Sequence, residues 1–217
     1  GSVLGPLLFI IYLNDIVKPC DIFKFIIYAD DTTLSSIMRS FSFSTDRLND
    51  ELRKISEWLK INKLSINISK TKFMLFHTKQ KKISPPKIKY DGVPIEQVSC
   101  FNFLGITLNE NMNWKSHKDN VANKIARSIG ILNWLKHMIP LQAKLNIYNS
   151  LILSHLNYGI LAWGHNCDRI FNLQKKAIRI ITASKYNAHT DPLFKRLNLL
   201  KIIDIFKVAH LKFFFQI

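Results

Sequence analysis

The spacing of apolar positions changes along the chain, from a mixture of helical and strand-like periods before residue 109 to an almost purely helical period after it. A first helix is predicted at 7–16, with Pro6 at its start, where a proline is tolerated. A second helix is predicted at 44–64, where apolar residues recur on one face. Four charged positions of this second helix are predicted to face solvent: Asp50, Glu51, Lys54 and Glu57.

Short apolar runs bounded by turn residues predict strands around these helices. The run at 23–28 predicts a buried strand, and residues 32–36 predict its hairpin partner. Further strands are predicted, in chain order, at 64–68, 71–76, 87–90, 93–95 and, broken at Gly105, 99–108. Asp91-Gly92 is a strong signal for a hairpin turn. This order favours an α+β fold in which helices cover an antiparallel sheet.

The part of the chain after residue 113 is predicted to be helical throughout. Apolar positions recur at intervals near 3.6 residues at 114–135, 141–156, 167–183, 192–197 and 202–215. The change in period places a domain boundary near Glu110, between a mixed domain at 1–109 and a helical domain at 110–217.

Charge narrows the class of partner. The chain has 217 residues, of which 47% are hydrophobic, so it can bury a sizeable core. Lys and Arg together number 31 against 15 Asp and Glu, which gives a net charge of +16. Such an excess favours polyanionic partners, above all nucleic acid, although charge alone leaves an anionic membrane surface open.

The cysteines and the N-terminal segment point to an intracellular protein, in the nucleus or the cytoplasm. The three cysteines are far apart and form no CxxC pair, so we expect free thiols and no zinc site. The apolar stretch at 3–13 is too short to span a bilayer and no signal peptide is evident, so no membrane partner is expected.

The main chemical candidate is the acid pair Asp30-Asp31. It directly follows the apolar run and Ala29, at the predicted tip of the hairpin. Neighbouring residues of a strand point to opposite faces, so adjacent carboxylates converge only at a tight turn. Oxygen ligands suit Mg²⁺, and two such ions can drive nucleotidyl transfer. The alternative is an ordinary acidic turn on the surface.

Several segments resemble motifs of reverse transcriptases. Tyr-Ala-Asp-Asp at 28–31 resembles their catalytic box, and residues 1–9 resemble the box that precedes it. The sequence of residues 8–16 is similar to the corresponding segment of non-LTR retrotransposon enzymes of the jockey and chicken-repeat type. Three later segments are also similar to parts of these enzymes. Residues 58–72 are similar to the next palm motif, 101–106 to the primer grip, and 173–181 to the helical tail after the thumb.

The resemblance implies an RNA-directed DNA polymerase that transfers nucleotides from a dNTP to a primer 3′-hydroxyl on an RNA template. Residues 1–109 would form part of its palm, and 110–217 the thumb and the start of a connecting helical region. Asp30 would bind one of two Mg²⁺ ions directly, with Mn²⁺ as an alternative metal, and Asp31 would bind more weakly. Tyr28 and Ala29 would flank the primer terminus.

Other residues acquire roles from the same resemblance. Gly1 and Ser2 would line the pocket for template and nucleotide, and Lys70 would contact the nucleotide or protonate the departing pyrophosphate. Three residues would grip the primer: Phe103, Leu104 and Gly105. The chain begins without Met and ends inside an amphipathic run, so both ends look cut. The family's further essential Asp, and the Gln before its first box, have no counterpart here, so the chain alone is expected not to polymerise.

Basic residues cluster in both predicted domains. Residues 60–89 include nine lysines and no acid, which suits either a phosphate backbone or a solvated hairpin edge. The helical part carries cations among tryptophans that we interpret as core residues: Lys124, Arg127, Lys136, Lys175, Lys176 and Arg179 with Trp114, Trp134 and Trp163. The principal alternative function is a non-catalytic nucleic-acid-binding remnant of a decayed or domesticated element.

Overall fold

A computed structural model describes residues 4–37, 41–78, 80 and 86–215, with the backbone alone at 41–44. The chain divides into two units, Gly1–Ser99 and Cys100–Ile217. The division falls earlier than the change of period near Glu110, because a β hairpin at 100–109 packs on the helices that follow it.

The first unit contains two helices and several short strands. Its helices are α1 at Leu4–Leu13, extended by a 3₁₀ turn at Asn14–Val17, and α2 at Phe41–Ile61. Its strands are β1 at Lys24–Tyr28, β2 at Asp31–Ser35, β3 at Lys72–Phe73, β4 at Lys89–Tyr90, β5 at Val93–Pro94 and β6 at Glu96–Gln97. Pro6 lies in the first turn of α1, where its missing N–H leaves no intrahelical hydrogen bond unmade.

The core of the first unit lies under α2. The predicted apolar face of this helix is buried, with the side chain of Ile55 only 2% exposed. Glu51, which was expected in solvent, is also buried. Its carboxylate accepts hydrogen bonds from the Asp21 backbone N–H at 3.1 Å and from Lys54 Nζ at 2.7 Å. Two hydrogen-bond donors, one charged and one neutral, thus replace the water that would solvate the Glu51 carboxylate. The prediction that Glu51 faces solvent was wrong.

The strands of the first unit form separate two-stranded ladders within the described residues, and no continuous antiparallel sheet. β1 pairs with β2 and β4 with β5, both antiparallel. The Asp91-Gly92 turn between β4 and β5 has φ values of 48° and 81° at its two residues, which confirms the predicted hairpin. In contrast, β3 and β6 pair in parallel over two residues.

The strand predicted at 64–68 is absent from the structure. Leu64, Ile66 and Ile68 pack against the core without a neighbouring strand. The backbone then turns at Asn67, whose carbonyl oxygen accepts hydrogen bonds from the N–H groups of Lys70 and Thr71. Apolar alternation alone therefore did not distinguish a packed loop from a strand.

The second unit is a helical bundle preceded by one hairpin. The hairpin consists of β7 at Cys100–Phe103 and β8 at Ile106–Asn109. The helices are α3 at Lys115–Leu135, α4 at Leu141–Tyr148, α5 at Ser154–Asn157, α6 at Ile160–Trp163, α7 at Asp168–Ile181, α8 at Asp191–Arg196 and α9 at Ile202–Phe215. All the helical segments predicted after residue 113 are thus present. No helix in the described ranges is both long and apolar enough to cross a membrane.

The bundle core is formed mainly by α3, α7 and the helices between them. Trp163 is fully buried in it, and Trp114 packs at its edge, as predicted. Trp134 instead is 70% exposed near the end of α3, so its interpretation as a core residue was wrong. Trp134 lies two positions after the buried Leu132, about 200° around the helix, and therefore on the exposed side of α3.

A π-helical segment at Asn149–Leu153 joins α4 to α5. A π turn widens the hydrogen-bonded ring by one residue and leaves a carbonyl group without its usual partner. Ser128 of α3 is buried beside this segment, and its Oγ lies 3.2 Å from the Leu151 carbonyl oxygen. The hydroxyl thus donates to a carbonyl of the irregular segment.

Candidate active-site hairpin and its relatives

The acid pair lies at the end of the hairpin formed by β1 and β2. Tyr28 pairs with Asp31, so Ala29 and Asp30 form a two-residue turn. Of these two, Ala29 alone has a positive φ, 50°. A positive φ at the first turn position only is the type II′ arrangement, which matches the twist of the strands and favours glycine. The turn thus places both acids at the end of the hairpin, Asp30 in the turn and Asp31 at the start of β2.

The hairpin has one packed face and one open face. Phe25 and Ile27 pack against the core, whereas Tyr28 is 64% exposed. The strand predicted as buried is therefore only half buried in the described residues. Asp30 and Asp31 are also exposed, and neither has a hydrogen-bond or ion-pair partner in the part of the chain that the structure describes. Both carboxylates are available to a ligand.

The described residues contain no cluster of three or more His, Cys, Asp or Glu side chains that could hold a metal ion. Asp30 and Asp31 therefore offer carboxylate oxygens without a third such side chain nearby. Carboxylates are the ligands that Mg²⁺ prefers, and Mg²⁺ commonly takes only one or two of them from a protein. The residue types fit a hard divalent cation.

Lys70 lies in an ordered turn of the first unit. Its backbone N–H lies 3.1 Å from the Asn67 carbonyl oxygen, and Thr71 Oγ1 donates to the same oxygen at 3.0 Å. Ser69 Oγ lies 2.6 Å from Asn67 Oδ1. The Lys70 side chain is exposed and has no ion-pair partner among the described residues. Asn67 therefore orders the turn and leaves the Lys70 ammonium group free to contact an anion.

Two lysines of the basic run at 60–89 are paired with acids. Lys60 Nζ lies 2.7 Å from Asp91 Oδ2, and the carboxylate raises the pKa of this lysine. The pKa of Asp91 is lowered, first by Lys60 and then by a hydrogen bond from Ser56. Lys72 makes an ion pair with Glu96. These lysines hold the unit together, so the run is not a uniform surface for phosphate.

The predicted primer-grip residues form the turn of the second hairpin. Phe103 ends β7, and Leu104 and Gly105 are the two turn residues, with φ values of 46° and 81°. Two positive φ values define a type I′ turn, in which Leu is unusual and Gly is favoured. The Leu104 carbonyl oxygen accepts a hydrogen bond from the Tyr158 hydroxyl. A Cβ atom added at Gly105 would lie 3.4 Å from the Tyr158 ring.

Helix α3 anchors the strand after this turn. The Thr107 backbone N–H donates to His117 Nδ1 at 3.1 Å, and Asn120 Nδ2 donates to Thr107 Oγ1 at 3.1 Å. His117 is only 4% exposed, and burial, followed by the nearby charge of Lys124, lowers its pKa. Its neutral ring can accept from Thr107, whereas a protonated ring could not. No motif or spacing in this segment predicted the contact.

The segment at 173–181 lies in α7, where Gln174 is fully buried. Gln174 Nε2 donates to Tyr148 Oη at 2.8 Å and to the Leu200 carbonyl oxygen at 2.9 Å. Its Oε1 accepts from the Ile202 backbone N–H at 2.9 Å. Gln174 thus joins three elements, a role that sequence reasoning missed. The signal was available, because position 174 lies on the apolar face of α7 with Ile170 and Ala177.

The predicted site residues are distributed over both units. Tyr28, Ala29, Asp30 and Asp31 share one turn, and Lys70 lies in another turn of the same unit. Phe103, Leu104 and Gly105 share the hairpin turn of the second unit. Gly1 and Ser2 lie outside the described residues. The roles of all these residues remain predictions.

The family model described as reverse transcriptase (RNA-dependent DNA polymerase) matches residues 1–108. This segment includes the acidic hairpin and the whole of β7, and ends in β8. No solved structure matches the chain.

Three curated relatives from Drosophila melanogaster cover nearly all of the chain. A probable RNA-directed DNA polymerase from transposon X-element is 28% identical over 94% of the chain. The RNA-directed DNA polymerase from mobile element jockey is 27% identical over 94%, and a probable RNA-directed DNA polymerase from transposon BS is 30% identical over 92%. The chain spans 24% of the length of each. Through residues 1–108 the chain therefore belongs to the reverse transcriptase family, and over most of its length it is similar to the polymerases of non-LTR mobile elements.

Proposed function

We propose that this chain forms part of an RNA-directed DNA polymerase of a mobile element, with Asp30 and Asp31 at its catalytic centre. The observation that carries the proposal is the turn at 28–31, where two exposed carboxylates without protein partners in the described residues follow a left-handed alanine. This turn lies within the segment that matches the family, and the relatives are named as polymerases.

Asp30 and Asp31 would hold Mg²⁺, with Mn²⁺ as an alternative. A bound pair of divalent ions supplies activation of the primer 3′-hydroxyl and stabilisation of the leaving pyrophosphate. Asp30, at the tip, would be the direct ligand, and Asp31, at the start of β2, the weaker one. Two carboxylates on one hairpin cannot enclose two ions, so we propose that a carboxylate from outside these 217 residues completes the site.

The other residues would position the substrates. Tyr28 and Ala29 would flank the primer terminus, where the small Ala29 side chain keeps the turn thin. The exposed Lys70 ammonium group would contact the triphosphate or give a proton to pyrophosphate. Gly1 and Ser2 would line the template and nucleotide pocket. The turn between β7 and β8 would support the primer through Phe103, Leu104 and Gly105.

The two parts of the chain would form different parts of the polymerase. Residues 1–109 would be the later part of a polymerase palm, and 110–217 a thumb with the start of a connecting region. The net charge of +16 supports binding to an RNA template, a DNA primer and their hybrid. The protein would act inside the cell, in the nucleus or the cytoplasm.

The test is primer extension by a polymerase of the relatives' length that contains this chain. Asp30→Asn should reduce extension by roughly three orders of magnitude or more, because loss of one anionic ligand misplaces a metal ion. Asp31→Asn should reduce it less. Asp50→Asn is the matched control, since Asp50 is exposed on α2 of the same unit and should be silent. Near-normal extension by a folded Asp30→Asn variant would refute the assignment.

The 217-residue chain assayed alone provides a second test. Because it offers only one side of the metal site, it should bind nucleic acid without extending a primer. Extension that depends on Asp30 would show that the chain holds a complete site. Absence of extension in the longer polymerase as well, with nucleic-acid binding retained, would instead favour the alternative of a non-catalytic remnant.

A further inference from the structure

A basic pocket of about 470 Å³ opens beside α7 in the second unit. Lys175 and Arg179 lie one helical turn apart on α7, so they project from the same face. Lys201, which precedes α9, and Thr190, which precedes α8, line the pocket with them. The pocket therefore collects cationic groups from two separate parts of the unit, and a hydroxyl group from a third. It is distant in sequence from the acidic hairpin and uses none of the residues assigned to catalysis.

The charges of the pocket do not cancel. Asp191 is its acidic lining residue, and its carboxylate lies 2.9 Å from Lys201 Nζ. Lys201 lowers the pKa of Asp191 most, and Lys175 and Lys195 lower it further. The lining thus carries three cationic side chains against one carboxylate, and Lys175 and Arg179 have no acidic partner in the described residues. An exposed pocket with such an excess attracts a polyanion.

Arg179 orders the rim of the pocket. Its Nε donates to the Ala188 carbonyl oxygen at 2.9 Å, which ties the loop at 182–190 to α7. The Ser184 backbone N–H donates to the Arg179 carbonyl oxygen at 3.0 Å. These bonds leave the terminal guanidinium nitrogens of Arg179 without a partner in the described residues. Their fork geometry suits two oxygens of a phosphate group.

Tyr186 stands in solvent on this ordered loop. The Ala188 backbone N–H donates to the Lys185 carbonyl oxygen at 3.0 Å and closes a turn with Tyr186 at its first central position. The Tyr186 side chain is 90% exposed. A large aromatic ring held in water by a rigid loop gains nothing for folding. Its free face is suited to stack on a planar ligand, and the neighbouring Lys185 adds one more exposed cation.

Thr190 adds a polar group to the wall of the pocket. Most of the residue is buried, at 6% exposure, and no hydrogen bond of its hydroxyl is found within the described part of the chain. The hydroxyl oxygen itself keeps some contact with solvent, so within the pocket that Thr190 lines it is available to a ligand. A phosphate oxygen would accept its hydrogen.

We infer that this pocket binds the backbone of a single-stranded stretch of RNA or DNA, with phosphate among Lys175, Arg179, Lys201 and Thr190 and an unpaired base stacked on Tyr186. Aromatic stacking combined with a cationic groove is the usual basis of single-strand binding without sequence preference. Bases of a duplex are already stacked on each other and cannot use the Tyr186 ring. The inference deepens the proposed function, since it assigns a second, non-catalytic contact to the nucleic-acid partner.

The test measures binding of a fluorescein-labelled oligonucleotide of about 12 nucleotides to the full chain, by anisotropy, without dNTP or divalent metal. Lys175→Gln with Lys201→Gln should weaken single-strand binding roughly tenfold and lower the slope of log K against log salt by about 1.4, or ~0.7 for each lost phosphate contact. The control is Lys176→Gln with Lys207→Gln, which removes the same charge at exposed positions outside the pocket. It should change the affinity and the salt slope far less.

Variants of Tyr186 distinguish a site for nucleic acid from a site that binds phosphate alone. Tyr186→Ala should weaken single-strand binding roughly tenfold while duplex binding stays unchanged, and Tyr186→Phe should bind like the parent chain. Equal losses in the two lysine pairs would overturn the pocket assignment, because binding would then reflect diffuse charge. Unchanged single-strand binding by Tyr186→Ala would overturn the nucleic-acid assignment. The same would follow if inositol hexaphosphate displaced the oligonucleotide at an equal concentration of phosphate groups. Because no catalysis is measured, these outcomes are independent of the Asp30 experiment.

Discussion

At the scale of single residues, the turn between β1 and β2 combines an exposed acid pair with an alanine in a conformation that favours glycine. Ala29 has a φ of 50°, where its Cβ approaches the backbone more closely than in a strand. A residue held in this region is strained, and such strain often coincides with functional sites. The strain here is small because alanine has the smallest side chain that carries a Cβ.

Substitutions at Ala29 should change stability in opposite directions. Ala29→Gly should raise the free energy of unfolding of the first unit by about 1 kcal/mol, because glycine adopts a positive φ without steric cost. Ala29→Val should lower it by about 1–2 kcal/mol, because a β-branched residue is poorly accommodated at positive φ. Chemical denaturation followed by circular dichroism measures both.

Thr33→Val is the matched control for the valine substitution. Thr33 lies in β2 of the same hairpin, at ordinary strand dihedrals that favour β-branched residues. It should change stability by less than about 0.5 kcal/mol. A destabilisation equal to that of Ala29→Val would show that the hairpin, and not the turn conformation, is sensitive to valine.

The position of this turn was predictable from the sequence, but the environment of Glu51 was not. The acids follow an apolar run, and the turn between β1 and β2 lies where it was expected. Glu51 has the spacing of a solvent-facing residue on α2, yet Lys54 and the Asp21 N–H cover it. The residue that buries it is thirty positions away in sequence, and periodicity within a single helix contains no information about such a contact.

At the scale of elements, α7 holds α4 and α9 together through Gln174. Gln174→Leu should lower the free energy of unfolding of the second unit by about 3 kcal/mol or more, because it leaves buried polar groups of Tyr148, Leu200 and Ile202 without partners. Thermal unfolding of the full chain, with a probe in the second unit, measures the change.

Asn172→Leu serves as the control for the substitution in α7. Asn172 lies on the same helix but is exposed, so the same gain of an apolar side chain should be nearly neutral. If both variants lost the same stability, the effect would reflect leucine on α7 and not the loss of the Gln174 hydrogen bonds.

The contact between β8 and α3 should depend on pH through His117. Burial lowers the folded-state pKa of His117 below the usual value of 6.5, so the unfolded chain binds the proton more readily. The stability that His117 contributes is therefore fully present above about pH 6.5 and is lost as pH falls toward the folded-state pKa. Protonation also removes the acceptor for the Thr107 N–H.

His117→Asn should reduce this pH dependence. The Asn carboxamide oxygen can accept from Thr107 in place of Nδ1 and does not titrate. Unfolding measured between about pH 7.5 and 5 should show a smaller loss of stability in the variant than in the parent chain. His155, whose pKa burial also lowers, accounts for a residual slope. Identical pH profiles would exclude His117 as the titrating group.

Elements were predicted from the sequence to different degrees. Helices α3 and α7 follow their apolar period because each buries one face along most of its length, whereas α9 buries apolar residues mainly in its first half and leaves Phe213 exposed. The segments at 64–68 and 71–76 show an equally clear alternation, yet the ladder in this region is only two residues long. A strand requires a partner that pairs with its backbone, and local alternation does not identify that partner.

At the scale of the whole molecule, the two units differ in how much apolar surface they bury. The described part of the second unit buries a cluster of 18 residues, against nine in the first. In the first unit α1 also leaves several apolar side chains in solvent, at 45–63% exposure: Leu4, Leu7, Leu8, Ile10, Ile11 and Tyr12. Apolar surface on this scale on one helix favours association or aggregation.

The first unit should therefore open before the second. In native-state hydrogen exchange followed by mass spectrometry, amides of α2 should exchange with a lower free energy of opening than those of α7. The dye ANS should bind at temperatures where only α2 has opened. Simultaneous opening of α2 and α7 over a denaturant series would show that the chain unfolds as one cooperative unit, contrary to the difference in burial.

The π-helical segment at Asn149–Leu153 has a consequence for changes in chain length. A π turn is equivalent to an α-helix with one inserted residue, so a single deletion in this segment would restore regular winding. Because the wider turn already absorbs the extra residue, the helix downstream would keep its orientation relative to α4. Tyr158 would keep its bond to the Leu104 carbonyl oxygen, whereas the Leu151 carbonyl would find a partner within the regular helix and no longer need Ser128. Homologous chains with one residue fewer here should therefore keep the attachment of the hairpin turn and tolerate loss of the hydroxyl at position 128.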